Sequence, residues 1–226
     1  MYKHVALLSR ATDVSHDEFV ERWEAADLAS AIDGVVRYHE VLPTMPEHAE
    51  FDGLAELFFE DEGSYDDAVT DPDSLVSDLD DEFAAAIADE RGMAGNPIVQ
   101  RDDVDGDSDG LYKHSAFLVR KDDLTHEEFV DHWQNNHTPI ARELTGVVKY
   151  DTVVPTDADA QPFDGIAELY FADIDDLYDA LGSEGSRDYE AVGEMAEKAR
   201  EDVDNFLAID ERPRFIGQEH VRADDR

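Results

Sequence analysis

Residues 129–150 read FVDHWQNNHTPIARELTGVVKY. Phe129, Trp133, His137, Ile140 and Leu144 recur at spacings of four, four, three and four. On a helix these side chains share one face. That face is apolar except at His137, so the imidazole is expected to point inward. Pro139 follows two residues later. It has no N–H, leaves the Asn135 carbonyl without its usual donor, and costs a helix interior about 3 kcal/mol. Thr138 can cap a new turn with Pro139 at its first position. The stretch therefore predicts a kink beside an inward histidine, a helix end at Gly146, and a strand over 147–154.

Working outward, the same frame occurs twice. Tyr2-Lys3-His4 matches Tyr112-Lys113-His114, and His16, Phe19 and Trp23 match His126, Phe129 and Trp133, all at an offset of 110. Gly34-Val35-Val36, Tyr38, Phe51-Asp52-Gly53 and Ala55-Glu56-Leu57 recur at an offset of 112. The first copy thus lacks two residues between Trp23 and Gly34, where the second carries His137 and Pro139.

Each copy reads as strand (2–10, 111–120), helix (to 32 and 144), strand (35–42, 147–154) and strand (after Gly53 and Gly165). A helical region (64–91, 174–207) and a last strand (97–104, 214–221) follow. Ser15 and Thr125 open the first helices with a capping-box pattern. Apolar stripes run through Leu75, Leu79, Phe83 and Ile87, and through Tyr189, Val192, Ala196, Ala199, Val203 and Phe206. The order βαββαβ is the ferredoxin-like pattern. It puts helices on one sheet face and leaves the other needing cover. The expected architecture is α+β: two ferredoxin-like repeats, 1–104 and 111–221, packed sheet to sheet as an intramolecular pseudo-dimer. An acidic linker over 105–110 joins them.

The chain has 226 residues, 58 acidic and 18 basic, with a formal charge of −40, yet 42% of residues are hydrophobic. The acid is spread along the whole chain. That distribution fits a haloarchaeal-type, salt-adapted protein, because salt screens the self-repulsion of such a surface. The charge argues against nucleic acid and anionic membranes as partners. The chain has no cysteine, which excludes disulfides and thiolate chemistry. The N-terminus MYKHVALLSR lacks a signal-peptide pattern and no segment reaches about 20 apolar residues. A cytoplasmic location is expected.

Residues 111–221 resemble the EthD family of dimeric α+β-barrel proteins. The resemblance rests on the YKH-type first strand, EEFVDHWQNNHTPIARELTGVVKY and DGIAELYF. Its most specific part is the W-x-x-x-H-x-P run, Trp133, His137 and Pro139. The first copy keeps the frame but has Glu24-Ala25-Ala26-Asp27-Leu28 after Trp23, with neither histidine nor proline. The resemblance implies a small-molecule pocket between sheet and helices, in a family often labelled as oxidoreductase.

His137 has two readings. One is a core histidine bonded to the Asn135 carbonyl; the other is a pocket residue acting as general acid or base, suited by its ordinary pKa near 6.5. Trp133 and Tyr150 are expected to shape the pocket. Asn135 is either a ligand donor or exposed helix surface. Glu168, in phase with Ile166 and Tyr170, is either a buried acid that touches the substrate or orients His114, or a polar link across the interface, since Glu56 repeats it. His114 shares that double reading. Asp164 is either a ligand contact or a turn residue. Lys3 and Lys113, two of five lysines, are expected to pair with buried carboxylates. His16 and His126 read as solvated.

No nicotinamide, flavin, phosphate-loop, HExxH or nucleophile-elbow pattern is present, so the sequence requires no cofactor and no metal. The leading reading is cofactor-free proton transfer on a small apolar or aromatic metabolite. A non-catalytic binding or accessory protein stands beside it, followed by an oxidoreductase or haem-handling protein.

Overall fold

The computed structural model describes residues 1–72, 75–76, 81–183, 192–209 and 212–224. The first half runs β1 (Tyr2–Arg10), α1 (His16–Ala26), α2 (Leu28–Ala31), β2 (Val35–Pro43), β3 (Gly53–Phe59), α3 (Glu62–Ala68), α4 (Asp81–Ala84) and β4 (Ile87–Asp102). The second runs β5 (Tyr112–Leu118), α5 (His126–His132), a π-helical turn (Trp133–His137), α6 (Thr138–Ala141), β6 (Val147–Val154) and a 3-10 turn (Ala158–Ala160). It continues with β7 (Gly165–Phe171), α7 (Ile174–Leu181), α8 (Glu194–Val203) and β8 (Arg214–Asp224).

The strands close a barrel in the order β1-β3-β2-β8-β5-β7-β6-β4. Within each half the spatial order is the ferredoxin-like one, and every pairing is antiparallel. The halves meet face to face inside the barrel, as expected. Their edges also hydrogen-bond, β2 to β8 and β4 to β6, so no strand edge of the barrel is left open. This takes a longer β4 than its sequence suggests. Ile87 belongs to that strand rather than to a helical stripe; β4 pairs with β1 through residue 95 and with β6 from residue 96. Leu79 and Tyr189 lie outside the described residues, and Val192 is exposed.

Strand alternation splits the core into three. Val5, Leu7, Leu54, Phe117, Ile166 and Phe215 fill one part of the barrel interior. Tyr2, Ala6, Leu8, Phe19 and Trp23 pack the outer face of the first half under its helices. Ala116, Leu118, Phe129 and Trp133 do the same in the second. Among the described residues, no helix is long and apolar enough to cross a membrane.

The lysines pair across the halves inside the barrel. Lys3 Nζ lies 2.6 Å from Glu168 and 3.1 Å from Glu56. Lys113 Nζ bonds Glu56 and lies 2.9 Å from Glu219 and 3.0 Å from Glu168. All five side chains are essentially inaccessible to solvent. Glu168 is therefore a link between halves on the inner face of β7. It does not touch the cavity described below and cannot orient His114, which lies on the outer side.

Candidate functional site

The helix over 126–141 meets its proline with a widened turn rather than with a new cap. Thr125 and Glu128 make a full capping box at its start. At Trp133–His137 the winding widens to a π-turn, in which the Thr138 N–H donates to the Trp133 carbonyl five residues back. Thr138 is helical, with φ −54°, and is not a cap. The wide turn absorbs Pro139, which needs no hydrogen bond, and keeps the helix continuous through its defect. The first copy solves the same path differently. Its helix breaks at Asp27, whose φ is +44°, before α2. The two residues it lacks correspond to the stretch that holds the π-turn.

The π-turn turns His137 over the outer face of the second sheet. There it lines a cavity of about 370 Å³ together with His114, Trp133 and Tyr150. The volume is that of a small-ligand site. Six alanines, Ala116, Ala141, Ala167, Ala180, Ala196 and Ala199, face it, and their short side chains leave the space. In the first copy Phe83 stacks on Trp23 with ring centroids 5.7 Å apart. In the second, Phe206 sits instead on Phe129, His132 and His137, and Trp133 faces the cavity.

His137 is not bonded to the Asn135 carbonyl. Its Nδ1 lies 3.1 Å from Asp202 Oδ2, a residue of α8. His132 Nε2 lies 3.1 Å from the other carboxylate oxygen. The Asn205 side chain donates to the same group at 3.0 Å. Burial alone would raise the Asp202 carboxyl, but the bonds from Asn205, His132 and His137 outweigh it and hold it below its ordinary range. For His137, burial pushes the imidazole down, and Asp202 only partly opposes this. The ring is thus neutral near pH 7. With Nδ1–H donated to Asp202, Nε2 carries the lone pair and can accept a proton.

Tyr150 is fully buried, with its hydroxyl 3.4 Å from that of Thr138. Burial pushes its phenol up, so it stays protonated and serves as wall. The Trp133 ring lies over the start of β7. A Cβ at Gly165 would come within 2.5 Å of it, and the equivalent Gly53 would come within 2.1 Å of Trp23. Replacing Gly165 by alanine is expected to cost about 1–3 kcal/mol through overpacking and to shift the Trp133 emission. Thermal melting and tryptophan fluorescence check this; an unchanged spectrum would show that the ring yields without loss.

His114, on β5, is buried, and its Nδ1 has no hydrogen-bond partner among the described residues. Burial, then Arg214 and Arg212, hold its pKa well below the ordinary value. Its counterpart His4 is held at about 3 by burial, beside the Tyr65 hydroxyl at 3.4 Å. Both depressions have one sign. Below pH 6.5 the unfolded chain binds protons that the folded chain refuses, so stability falls as pH drops. From His4 alone, about 2 kcal/mol should be lost between pH 6.5 and 5. Denaturant unfolding at several pH values in constant salt checks this, and a flat profile over that window would contradict it.

The remaining candidates lie elsewhere. Asp164 clamps a corner: it accepts from the Arg120 backbone N–H at 2.8 Å and bonds the Arg120 guanidinium. His126 is 3.2 Å away, and so is half-buried rather than solvated. Asp52 repeats the clamp with the Arg10 backbone at 2.9 Å, and His16 is also half-buried. Asn135 is exposed and donates to Asp131 at 2.8 Å. Sequence reasoning missed Asp202, Arg212 and Arg214. The last two could have been noticed as a closely spaced arginine pair in a chain poor in basic residues.

Residues 121–210 match the model of the EthD domain. No curated protein matches the chain. Among solved structures, an anthrone oxidase-like protein aligns with a TM-score of 0.64 at 12% identity, over 100% of this chain and 94% of its own. A protein of Lactobacillus acidophilus provisionally described as a monooxygenase aligns at 0.57 and 14% identity, over 99% and 96%. A mutant chlorite dismutase from Candidatus Nitrospira defluvii aligns at 0.56 and 10%, over 96% and 90%. At such identities these likenesses establish the dimeric α+β-barrel fold.

Proposed function

We propose that the second half of this chain binds a small, largely apolar metabolite in the cavity beneath the π-turn, and that His137 removes a proton from it. The observation that carries the reading is the His137–Asp202 pair on the wall of an alanine-lined cavity. Asp202 fixes the tautomer, leaves Nε2 toward the ligand side and stabilises the imidazolium once the proton has moved. Trp133 and Tyr150 orient the ligand, and burial keeps water from competing for the base. The EthD match over this half and the oxidoreductase-type neighbours agree with a metabolic role.

The test fills the space. An Ala199→Phe protein and the wild type, both purified at high salt from the native host, are denatured and their small molecules compared by mass spectrometry. A compound released by the wild type alone supports the reading. Identical profiles would sink it. A compound that binds but never turns over would make the protein a carrier.

The same geometry favours a second reading. A carboxylate on the far nitrogen is also how metal-ligating histidines are oriented, so His137 could hold haem iron. A Soret shift on adding haemin, lost in His137→Ala, would support it.

A further inference from the structure

The barrel interior holds more carboxylate than its lysines neutralise. Of the five inaccessible side chains that link the halves, three are carboxylates and two are ammonium groups, which leaves one negative charge over. Glu56 and Glu219 each turn one oxygen to the lysines. Glu56 Oε1 meets Lys113 and Lys3, and Glu219 Oε2 lies 2.9 Å from Lys113. The other oxygen of each faces His39, whose Nδ1 lies 3.1 Å from Glu219 Oε1 and 3.8 Å from Glu56 Oε2.

His39 is only 3% exposed, and neither of its ring nitrogens has a hydrogen-bond partner; nor has Glu56 Oε2. The imidazole Nδ1 is thus close to both carboxylates and in hydrogen-bonding line with neither. Buried polar atoms are nearly always bonded, so two unpartnered neighbours, a nitrogen and an oxygen, call for a third group between them. The frame does not require this set. By the repeat, Asp151 stands where the first copy has His39, and Pro97 stands where the second has Glu219.

We infer that His39 Nδ1, Glu56 Oε2 and Glu219 Oε1 form a binding site for a divalent transition-metal ion of the zinc class. Ligand atoms of the three residues lie within 4.8 Å of one another. Bonds of about 2.0–2.2 Å to a shared tetrahedral ion put such atoms about 3.4 Å apart, so a small closure of the carboxylates completes the cradle. The Ser108 hydroxyl already bonds Glu219 Oε1 and steadies it. An imidazole ligand favours zinc-like ions over Mg²⁺ and Ca²⁺. The ion offsets the excess negative charge and ties β2 and β3 of the first half to β8 of the second. Its role is structural, and none of its ligands lines the His137 cavity. The ligands come from three strands far apart in the chain, so no sequence spacing announces them.

The test uses full-length protein made with Zn²⁺ or Co²⁺ supplied during growth, so that the ion is present as the barrel closes. Purification in molar salt with excess Mg²⁺ clears the acidic surface. Elemental analysis should find one ion per chain, and the Co²⁺ protein should show visible ligand-field bands. His39→Gln should weaken binding at least about 100-fold, more than a metal's outer-shell partners contribute. Glu219→Gln, which keeps the side-chain shape, should do the same and serves where His39→Gln folds poorly. His137→Ala should keep the ion, which separates this site from the histidines at Asp202. Chelation should lower the melting temperature of the wild type and leave that of Glu219→Gln unchanged. Wild-type protein free of both ions would overturn the inference; the His39 nitrogen resonances would then show an imidazolium, its proton offsetting the third carboxylate. An ion retained equally by both Gln variants would also overturn it, placing the metal elsewhere.

Discussion

Replacing Lys113 by alanine is expected to cost about 3–5 kcal/mol of stability, enough to leave much of the protein unfolded. Lys113 touches three carboxylates, Glu56, Glu168 and Glu219, inside a barrel that excludes water. Burial alone would lower its pKa, but those three carboxylates outweigh it and raise it well above the ordinary value. Glu56 shows the other side: burial would raise it, yet Lys113 and Lys3 hold it at about 2. Removing Lys113 leaves Glu56 and Glu168 sharing Lys3, and Glu219 with only Ser108 and His39 beside it, and an uncompensated buried charge is what makes such losses large. Denaturant melts at fixed molar salt measure the cost. Arg142→Ala is the control. Arg142 lies 3.5 Å from Glu143 where both side chains are about half exposed, and its loss should cost under about 1 kcal/mol. A Lys113 variant as stable as that control would show that packing, not charge pairing, holds the halves together. The sign with pH follows from the depressed carboxylate. The Glu56 contribution is complete above its ordinary pKa and disappears as pH falls from there toward about 2.

That cluster shows what a sequence can and cannot reveal here. The repeat itself exposes Lys3, Lys113, Glu56 and Glu168 as recurring charges in apolar strands, and their pairing across the halves follows. Glu219 and His39 do not recur: strand registers place Pro97 opposite Val153 where Glu219 stands opposite Val41. Only the closed barrel shows Glu219 beside Lys113. The fold is legible because strand alternation and helix spacing are local. The site is legible only in its local part. Trp133, His137 and Tyr150 lie within one helix–strand unit, and their spacing puts them on a common side. Asp202 is 65 residues from His137, on a helix whose rotation no periodicity specifies to within one side chain. A π-turn stands where a Thr138 cap was expected because a proline can be met in two ways. It breaks the i to i+4 ladder, or the ladder widens by one residue around it, and the two extra residues of the second copy make room for the widening.

Replacing His137 by alanine is expected to lower kcat/KM for the proposed proton transfer by about 10²–10⁴-fold, while leaving ligand affinity within a few-fold. Affinity is spared because the apolar walls remain. The Asp202→Asn protein separates a base from a mere contact. Burial pushes His137 down and Asp202 pushes it back up, so the neutral amide should let its pKa fall further. The base works only when unprotonated, and activity declines as pH drops through that pKa. The acid limb of the kcat/KM profile in Asp202→Asn should therefore move to lower pH, although the maximal rate falls because the imidazolium loses its carboxylate. A structural role for Asp202 would reduce the rate without moving the limb. A limb that stays in place in Asp202→Asn, together with a His137→Ala protein of undiminished turnover, would remove the histidine from the chemistry and leave the cavity as a binding site.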